Sequence, residues 1–271
     1  MLNNEYLEKN HNAYFMNNSA KIEENNIYQY NIYKAKNTLW YFNDLIKSGF
    51  SEYNSVKFKN SEGVYVWLEN VKIEEIYYLG NLAENGNSQK ILINNVIDWM
   101  IIENGRLIGG YTIRHYRDTL DDEAKNNFDI DFGVKIDDGN DFFKPDSSTP
   151  EGAIIKIENY YSNNDLKGVI SCKDFEMEAK NLLEERGAII TTEIKNKISE
   201  ALKSSLIETF QSNEFPNFEN IERCFTLVEE KQDQRLIEEK VIYQNGNFTF
   251  NKLWVWRSKN GDWKVLNLVE N

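Results

Sequence analysis

Apolar residues recur along this chain at two spacings, and the spacing differs from region to region. Between Ala35 and Ile46 they return every three or four positions, which is one face of an amphipathic helix ending at Gly49. From Val64 onward, short apolar runs alternate with other residues as far as Tyr116. The first half is therefore predicted to be an antiparallel sheet with helices packed on it.

In the second half of the chain, apolar residues first recur at helical spacing and then, toward the end, alternate with other residues as in strands. Thr149 followed by Pro150 is typical of an N-cap with proline at the first helical position, and two further helical patterns follow. Beyond Ile221 come four strand candidates, with Asn-Gly pairs at 245–246 and 260–261 as tight turns, which predicts a meander. Four aromatic residues share one parity and should point to one face of this sheet: Phe248, Phe250, Trp254 and Trp256.

A linker is predicted between the two halves. Residues 137–150, reading DDGNDFFKPDSSTP, concentrate Gly, Asp and Ser and hold two of the three prolines. Placing the boundary near Ser148 gives domains 1–148 and 149–271. The fold class is α+β, with two domains that each contain an antiparallel sheet packed with helices.

The most distinctive stretch is residues 97–118, IDWMIIENGRLIGGYTIRHYRD. Asn104-Gly105 lies between two apolar runs and favours two positive φ angles, which predicts a hairpin over residues 96–116. Gly109-Gly110 is expected to form a bulge, with close approach of a ligand as the alternative. Asp118 or Thr119 is expected to cap a short helix through Asn126.

This stretch resembles the YegJ-like family, a bacterial domain of unknown function with a signature similar to DW, a short hairpin, then GGYTIR. The resemblance covers about residues 56–132 and implies a fold neighbourhood more than an activity.

The second half, ending LWVWR and then GDWKVLNL, resembles the nuclear-transport-factor-2-like or SnoaL-like cone, and its ENYYSNNDLKGV is similar to the first helix and turn of that fold. The resemblance spans about residues 149–271 and implies a cone-shaped curved sheet. Five residues would then line the cavity: Tyr160, Tyr161, Asp165, Trp254 and Trp256. Asp165 has a turn residue as its alternative role, and the aromatic residues could instead fill the core. Enzymes of this fold usually use an Asp/His or Tyr/Asp pair, and this half contains no histidine.

Charge restricts the class of partner. The 31 basic and 44 acidic residues give a formal net charge of −13, which repels nucleic acid and anionic membranes and attracts basic proteins. Solubility alone is the other reading of the same charge. The chain lacks a cationic start followed by an apolar run and has no stretch of roughly 18 apolar residues, so a cytoplasmic location without a membrane span is expected.

No catalytic, cofactor or metal motif is present. Cys172 and Cys224 lie far apart without a CxxC pair, and His11 and His115 are the only histidines. Neither GxSxG nor a phosphate-binding glycine loop occurs. The sequence therefore assigns no catalytic residue, no metal and no cofactor.

Polar residues near the hairpin are the candidates for contact with a partner. Asp98, Trp99 and Arg114 could form a recognition site; alternatively Asp98 caps a turn, Trp99 packs and Arg114 satisfies a buried carboxylate. Asp121, Asp122 and Glu123 are expected to contribute to an acidic docking surface.

These features favour a non-enzymatic protein-binding module, specifically a bacterial immunity protein that neutralises a basic toxin. Immunity proteins are also built on the cone fold that the second half resembles. The alternative is a small-molecule sensor or enzyme using the cavity of the cone. The sequence leaves the oligomeric state and the identity of the partner open.

Overall fold

The computed structural model describes residues 24–49, 52–212 and 217–269. The chain divides into two compact units, Met1–Phe142 and Phe143–Asn271, and each contains an antiparallel sheet with helices. The division falls within residues 137–150, which are partly packed: Asp141 and Phe143 are 5% and 3% exposed. Lys144, Pro145 and Ser148 are exposed.

The first unit contains a six-stranded sheet in the order β4-β3-β2-β1-β5-β6, in which all neighbours are antiparallel. Its helices and strands, in chain order, are α1 Asn26–Ser48, β1 Tyr53–Lys59, β2 Tyr65–Glu74, β3 Tyr77–Leu82, β4 Ser88–Leu92, β5 Val96–Glu103, β6 Arg106–Gly109, α2 Tyr111–Asp118 and α3 Asp122–Phe132.

The helix predicted to end at Gly49 is confirmed, and it begins at Asn26. The side chain of Asn25 caps its start by accepting from Tyr28 N at 2.9 Å, and Gly49 ends it with a φ of 73°. The helix buries Ala35 and Phe42 in a core that includes Trp99 and Ile101 of β5. The other face of the sheet forms a second core with the two later helices.

The predicted hairpin is correct up to Gly109 and wrong beyond it. Asn104 and Gly105 have φ angles of 50° and 69°, so the tight turn between β5 and β6 is confirmed. The chain then turns at Gly109 and Gly110, which have φ angles of 70° and 63°. These glycines end the strand and begin helix α2, where a bulge and a continuing strand were expected.

Two further details depart from the sequence-based expectation. The N-cap before α3 is Asp121, which accepts from Ala124 N at 2.8 Å, whereas Asp118 and Thr119 end the preceding helix. The α3 helix also continues past Asn126 to Phe132. Strands β1 and β3 were missed, and in β3 Gly80 interrupts the apolar alternation.

In its described residues, the second unit has four helices followed by a four-stranded meander in the order β10-β9-β8-β7. Its elements are α4 Pro150–Ser162, α5 Leu166–Cys172, α6 Phe175–Glu185, α7 Thr192–Ser212, β7 Glu222–Glu230, β8 Gln234–Ile242, β9 Phe248–Arg257 and β10 Trp263–Val269. The predicted cap is confirmed, since Thr149 Oγ1 accepts from Gly152 N at 3.0 Å with Pro150 at the first helical position. The meander is confirmed as well, and α5 was missed.

The two faces of this four-stranded sheet differ. Ile237, Glu239 and Val241 of β8 are completely buried, and they alternate with residues that point to the opposite face. Helix α4 packs against the sheet on the buried side. On the opposite side, Phe248 and Phe250 of β9 are 55% and 44% exposed.

Candidate functional site

Asp98 lies at the centre of a buried polar cluster in the first unit. Its carboxylate is completely buried and accepts four hydrogen bonds: from Trp99 N at 2.8 Å, Tyr111 N at 3.2 Å, and Thr112 N and Oγ1 at 2.7 Å each. The N–H groups of Tyr111 and Thr112 belong to the first turn of α2, which has no intrahelical acceptor for them. Asp98 therefore caps a helix that begins thirteen residues later in the chain.

Lys57 is the cation of this cluster. Its Nζ donates to Thr112 Oγ1 at 3.2 Å and lies 5.7 Å from the centroid of the Trp67 ring. Burial lowers the pKa of Lys57, against the charge of Asp98, and burial raises the pKa of Asp98, against its hydrogen bonds from Thr112 and the charge of Lys57. The Thr112 hydroxyl accepts from Lys57 and donates to Asp98, so the positive and negative charges are linked and partly neutralise each other.

His115 is next to this cluster, one helical turn after Thr112. It is 5% exposed, and its ring meets Tyr28 edge-on with 5.5 Å between centroids. Within the described ranges, its Nε2 has no hydrogen-bond partner.

Trp99 is also completely buried. Its indole N–H donates to Ala35 O at 3.0 Å and to Thr38 Oγ1 at 3.2 Å, which joins the sheet to α1. Gly109 lies directly against it: a Cβ at Gly109 would be 2.5 Å from Trp99 O and 2.6 Å from the indole ring. A partner molecule cannot touch Trp99 while the unit is folded.

Arg114 binds backbone carbonyls and also pairs with a half-buried carboxylate. Its Nε donates to Gly109 O at 2.9 Å, and its terminal nitrogens donate to the carbonyls of Leu107 and Asp137. The Asp137 carboxylate forms an ion pair with Nη1 at 3.8 Å. Arg114 thus fixes the end of the hairpin to residue 137.

The acidic residues at the start of α3 are exposed. Asp121 is the helix cap, and Asp122 and Glu123 occupy the first turn, where negative charge stabilises the free N–H groups. The structure does not bring them together with Asp98 or Trp99, which are buried.

The aromatic and acidic residues proposed for a cavity have mainly structural contacts. Asp165 caps α5 by accepting from Gly168 N at 2.9 Å, and the Tyr160 ring packs so closely on Gly168 that a Cβ there would be 2.2 Å away. Tyr161 stacks on Phe210 with 6.5 Å between centroids. Lys231 Nζ lies 4.1 Å from the centroid of the Trp254 ring, and Trp256 Nε1 donates to Asp174 Oδ2 at 2.9 Å.

Sequence reasoning missed a buried ionic triad in the second unit. Arg223 of β7 contacts Glu158 of α4 at 2.9 Å and Glu239 of β8 at 3.0 Å. The three residues are 9%, 5% and 0% exposed. A local signal existed, because Arg223 and Glu239 each alternate with buried apolar residues of their strands, but it did not reveal which charges would meet.

An aromatic strip on the open face of the second sheet consists of Phe248, Phe250 and Trp254. The two phenylalanine rings meet edge-to-face at 5.5 Å, and Lys240 Nζ lies 4.7 Å from the Phe248 centroid. Lys252, between Phe250 and Trp254 on the same face, pairs with Glu238 at 3.3 Å. The strip thus combines exposed aromatic surface with charges of both signs.

Two kinds of feature are absent from the described residues. No group of three or more His, Cys, Asp or Glu side chains is arranged there to hold a metal. No helix in the same ranges is long and apolar enough to cross a bilayer.

One protein-family model matches the first unit. Residues 25–136 match the model of a family described as an uncharacterized protein conserved in bacteria (DUF2314), which agrees with the expected bacterial domain of unknown function. The matched range contains α1, the whole six-stranded sheet, α2 and α3.

A putative ankyrin repeat protein of Neisseria meningitidis serogroup B is 25% identical over 83 residues. The alignment covers 27% of this chain and 33% of that protein, so the chain spans about a third of the length of the curated relative it matches. No solved structure matches the chain at a significant level.

Proposed function

We propose that the chain is a non-enzymatic protein-binding module whose docking surface is the aromatic strip of Phe248, Phe250 and Trp254. The observation that carries the proposal is the exposure of two neighbouring phenylalanine side chains, 55% and 44%, on one face of a regular sheet. Aromatic side chains supply most of the affinity of many protein interfaces, and a cluster of them in water often indicates such a surface.

The neighbouring charges support a protein partner. Lys240 and Lys252 lie beside the strip together with Glu238, so the apolar centre has a polar rim, the usual composition of a protein interface. Buried residues of the first unit are poorer candidates, because Asp98 and Trp99 are 0% exposed.

We infer further that the partner is a basic protein, as for an immunity protein that occludes a toxin. The net charge of −13 attracts a basic protein over distances of about a Debye length, roughly 8 Å at physiological salt. Long-range attraction would raise the association rate, and the aromatic strip would set the dissociation rate. The name of the Neisseria relative, a putative ankyrin repeat protein, is compatible with a role in protein contact.

The experiment is affinity capture from a bacterial lysate with two matched variants of the full chain. Phe248→Ser with Phe250→Ser removes the exposed rings of the strip, and Ile130→Ser removes a still more exposed apolar side chain, 75% exposed, from α3 of the first unit. A protein captured by the parent and by the Ile130 variant, but lost from the double variant, supports the proposal. Equal capture by all three chains refutes it.

A second candidate function is small-molecule binding on the helix-covered face of the second sheet. The buried triad of Glu158, Arg223 and Glu239 favours it, since convergent charged groups under a helix are typical of ligand sites. This function would use the cavity implied by the resemblance to a cone-shaped fold. A co-purifying small molecule that raises the melting temperature of the parent, but not of Arg223→Met, would favour it over protein docking.

A further inference from the structure

Three buried charged groups meet under helix α4 of the second unit. Arg223 bridges the carboxyl groups of Glu158 and Glu239, at 2.9 and 3.0 Å. Each residue comes from a different element: Glu158 from α4, Arg223 from β7 and Glu239 from β8.

The charges in this triad do not balance. Two ionised carboxylates around one guanidinium leave one negative charge with no cation, in a site where all three residues are less than a tenth exposed. An uncompensated buried charge strongly destabilises the folded state, whereas one proton neutralises the triad.

The sheet presents two charged groups to Glu158. Among the described residues, the charges that act on its carboxyl are those of Glu239 and Arg223. Asn251 of β9 lies opposite Glu239, and Val241 of β8 lies opposite Arg223, so the cross-strand positions are uncharged. Glu238 and Lys240 flank Glu239 in sequence but point to the other face of the sheet.

We propose that Glu158, Arg223 and Glu239 form a proton-operated switch, which holds helix α4 on the sheet while one proton is bound and loosens it when that proton leaves. The switch goes beyond the docking function and does not require it. Glu158 lies near the C-terminal end of α4, and the same helix buries Ile154 and Ile157, so a charge released at Glu158 acts directly on the contact between α4 and the sheet.

The direction of the pH effect follows from burial. Burial, and then the charge of Glu239, raise the pKa of Glu158 well above its usual range, although Arg223 opposes the shift. The folded state therefore holds the proton more tightly than the unfolded state. The stabilising effect is complete below the ordinary pKa of a glutamate, about 4.3, and is lost as the pH rises through the raised pKa of the folded state.

Hydrogen exchange of the full chain at a series of pH values, corrected for the intrinsic exchange rates, tests the switch. In the parent, protection of the α4 amides should fall by up to about tenfold per pH unit between these two pKa values, because opening is linked to the loss of one proton. In Glu158→Gln the protection should not depend on pH. The control Glu238→Gln alters the neighbouring carboxylate on the other face of the same strand and should behave like the parent.

An infrared measurement on the parent keeps the test independent of whether the variant folds. The carbonyl band of a protonated carboxylic acid should persist above the ordinary glutamate range and disappear with the same midpoint as the α4 protection. Protection of α4 that is constant with pH in the parent overturns the proposal. So does a pH dependence that is unchanged in Glu158→Gln, or the absence of a protonated carboxylic acid above the ordinary glutamate range.

Discussion

Asp98 accepts hydrogen bonds from the backbone N–H and the hydroxyl of Thr112, each at 2.7 Å. This pairing joins β5, the first strand of the hairpin, to helix α2, which follows the hairpin. The hydroxyl of Thr112 in turn accepts from Lys57, so removal of Asp98 leaves buried N–H and O–H donors without their acceptor and the buried Lys57 without its opposite charge.

Asp98→Ala should therefore destabilise the first unit by about 3 to 5 kcal/mol. Thr112→Val keeps the backbone donor and removes only the hydroxyl, so its cost should be about 1 to 2 kcal/mol. Urea unfolding measures both, with Asp118→Ala as the control, because the Asp118 side chain is 67% exposed. Equal losses for Asp98→Ala and Asp118→Ala would mean that the cap does not hold α2.

Gly109 and Gly105 provide a matched pair with similar backbone angles, φ of 70° and 69°. Gly105→Ala should cost about 1 kcal/mol from backbone strain alone, since nothing lies within 4 Å of the added Cβ. Gly109→Ala adds an overlap with the Trp99 ring and should cost about 3 kcal/mol or more. Thermal unfolding of both variants compares the two effects, and similar melting temperatures would contradict the close contact between Gly109 and Trp99.

Asp137 connects the end of the first unit to the hairpin through Lys135 and Arg106, each at 2.9 Å. Burial raises its pKa, but the hydrogen bonds from Lys135 and Arg106 outweigh that effect and lower the pKa to about 2. The folded state thus binds this proton more weakly than the unfolded state. The stability it provides is present above the ordinary aspartate pKa and is lost as the pH falls toward 2.

Asp137→Asn should cost about 1 kcal/mol near pH 7, since the carboxylate is about a quarter exposed and solvent weakens the pairs. The difference in urea midpoint between parent and variant should narrow as the pH falls through about 4 toward 2. A difference that stays constant over that range would show that the ion pairs contribute nothing.

The acidic residues at the start of α3 allow a test of whether the negative charge of the chain speeds association with a basic partner. Asp122→Asn with Glu123→Gln removes two exposed charges but leaves the cap Asp121 in place, so α3 keeps its start. The association rate with a captured basic partner should fall, and more at low salt than at physiological salt, while the dissociation rate changes little. Stopped-flow or surface kinetics at two ionic strengths separates these rates. An equal change in both rates would place the residues in the contact itself.

Local signals were sufficient for several elements. Gly49, Asn104-Gly105 and Thr149-Pro150 each act through their own backbone angles or through neighbours within three residues, and the helix end, turn and cap were predicted from them. Helix α2 was missed for the opposite reason. The alternation around Tyr111 to Tyr116 resembles a strand, and the helix depends on a carboxylate thirteen residues earlier in the chain.

The candidate sites could be predicted only in part. The common parity of Phe248, Phe250 and Trp254 was evident, but whether a helix covers their face depends on packing that alternation does not reveal. The buried triad draws on three elements, with Glu158, Arg223 and Glu239 each from a different one. Their ion pairs form only after α4 has packed on the sheet. Arg114 was expected to meet a carboxylate, and it pairs with Asp137. That its planar guanidinium also reaches three carbonyls depends on the turn at Gly109, which the sequence did not reveal.

Thiol alkylation tests the docking surface most directly, because the chain carries its own reporter. Cys224 is partly exposed and lies across from Lys240 on the face of the aromatic strip, while Cys172 is buried and serves as the internal control. Bound partner should slow the alkylation of Cys224 several-fold in the parent and leave Cys172 unchanged, and the protection should disappear in Phe248→Ser with Phe250→Ser. Alkylation of Cys224 at the same rate with and without bound partner would contradict docking at the aromatic strip.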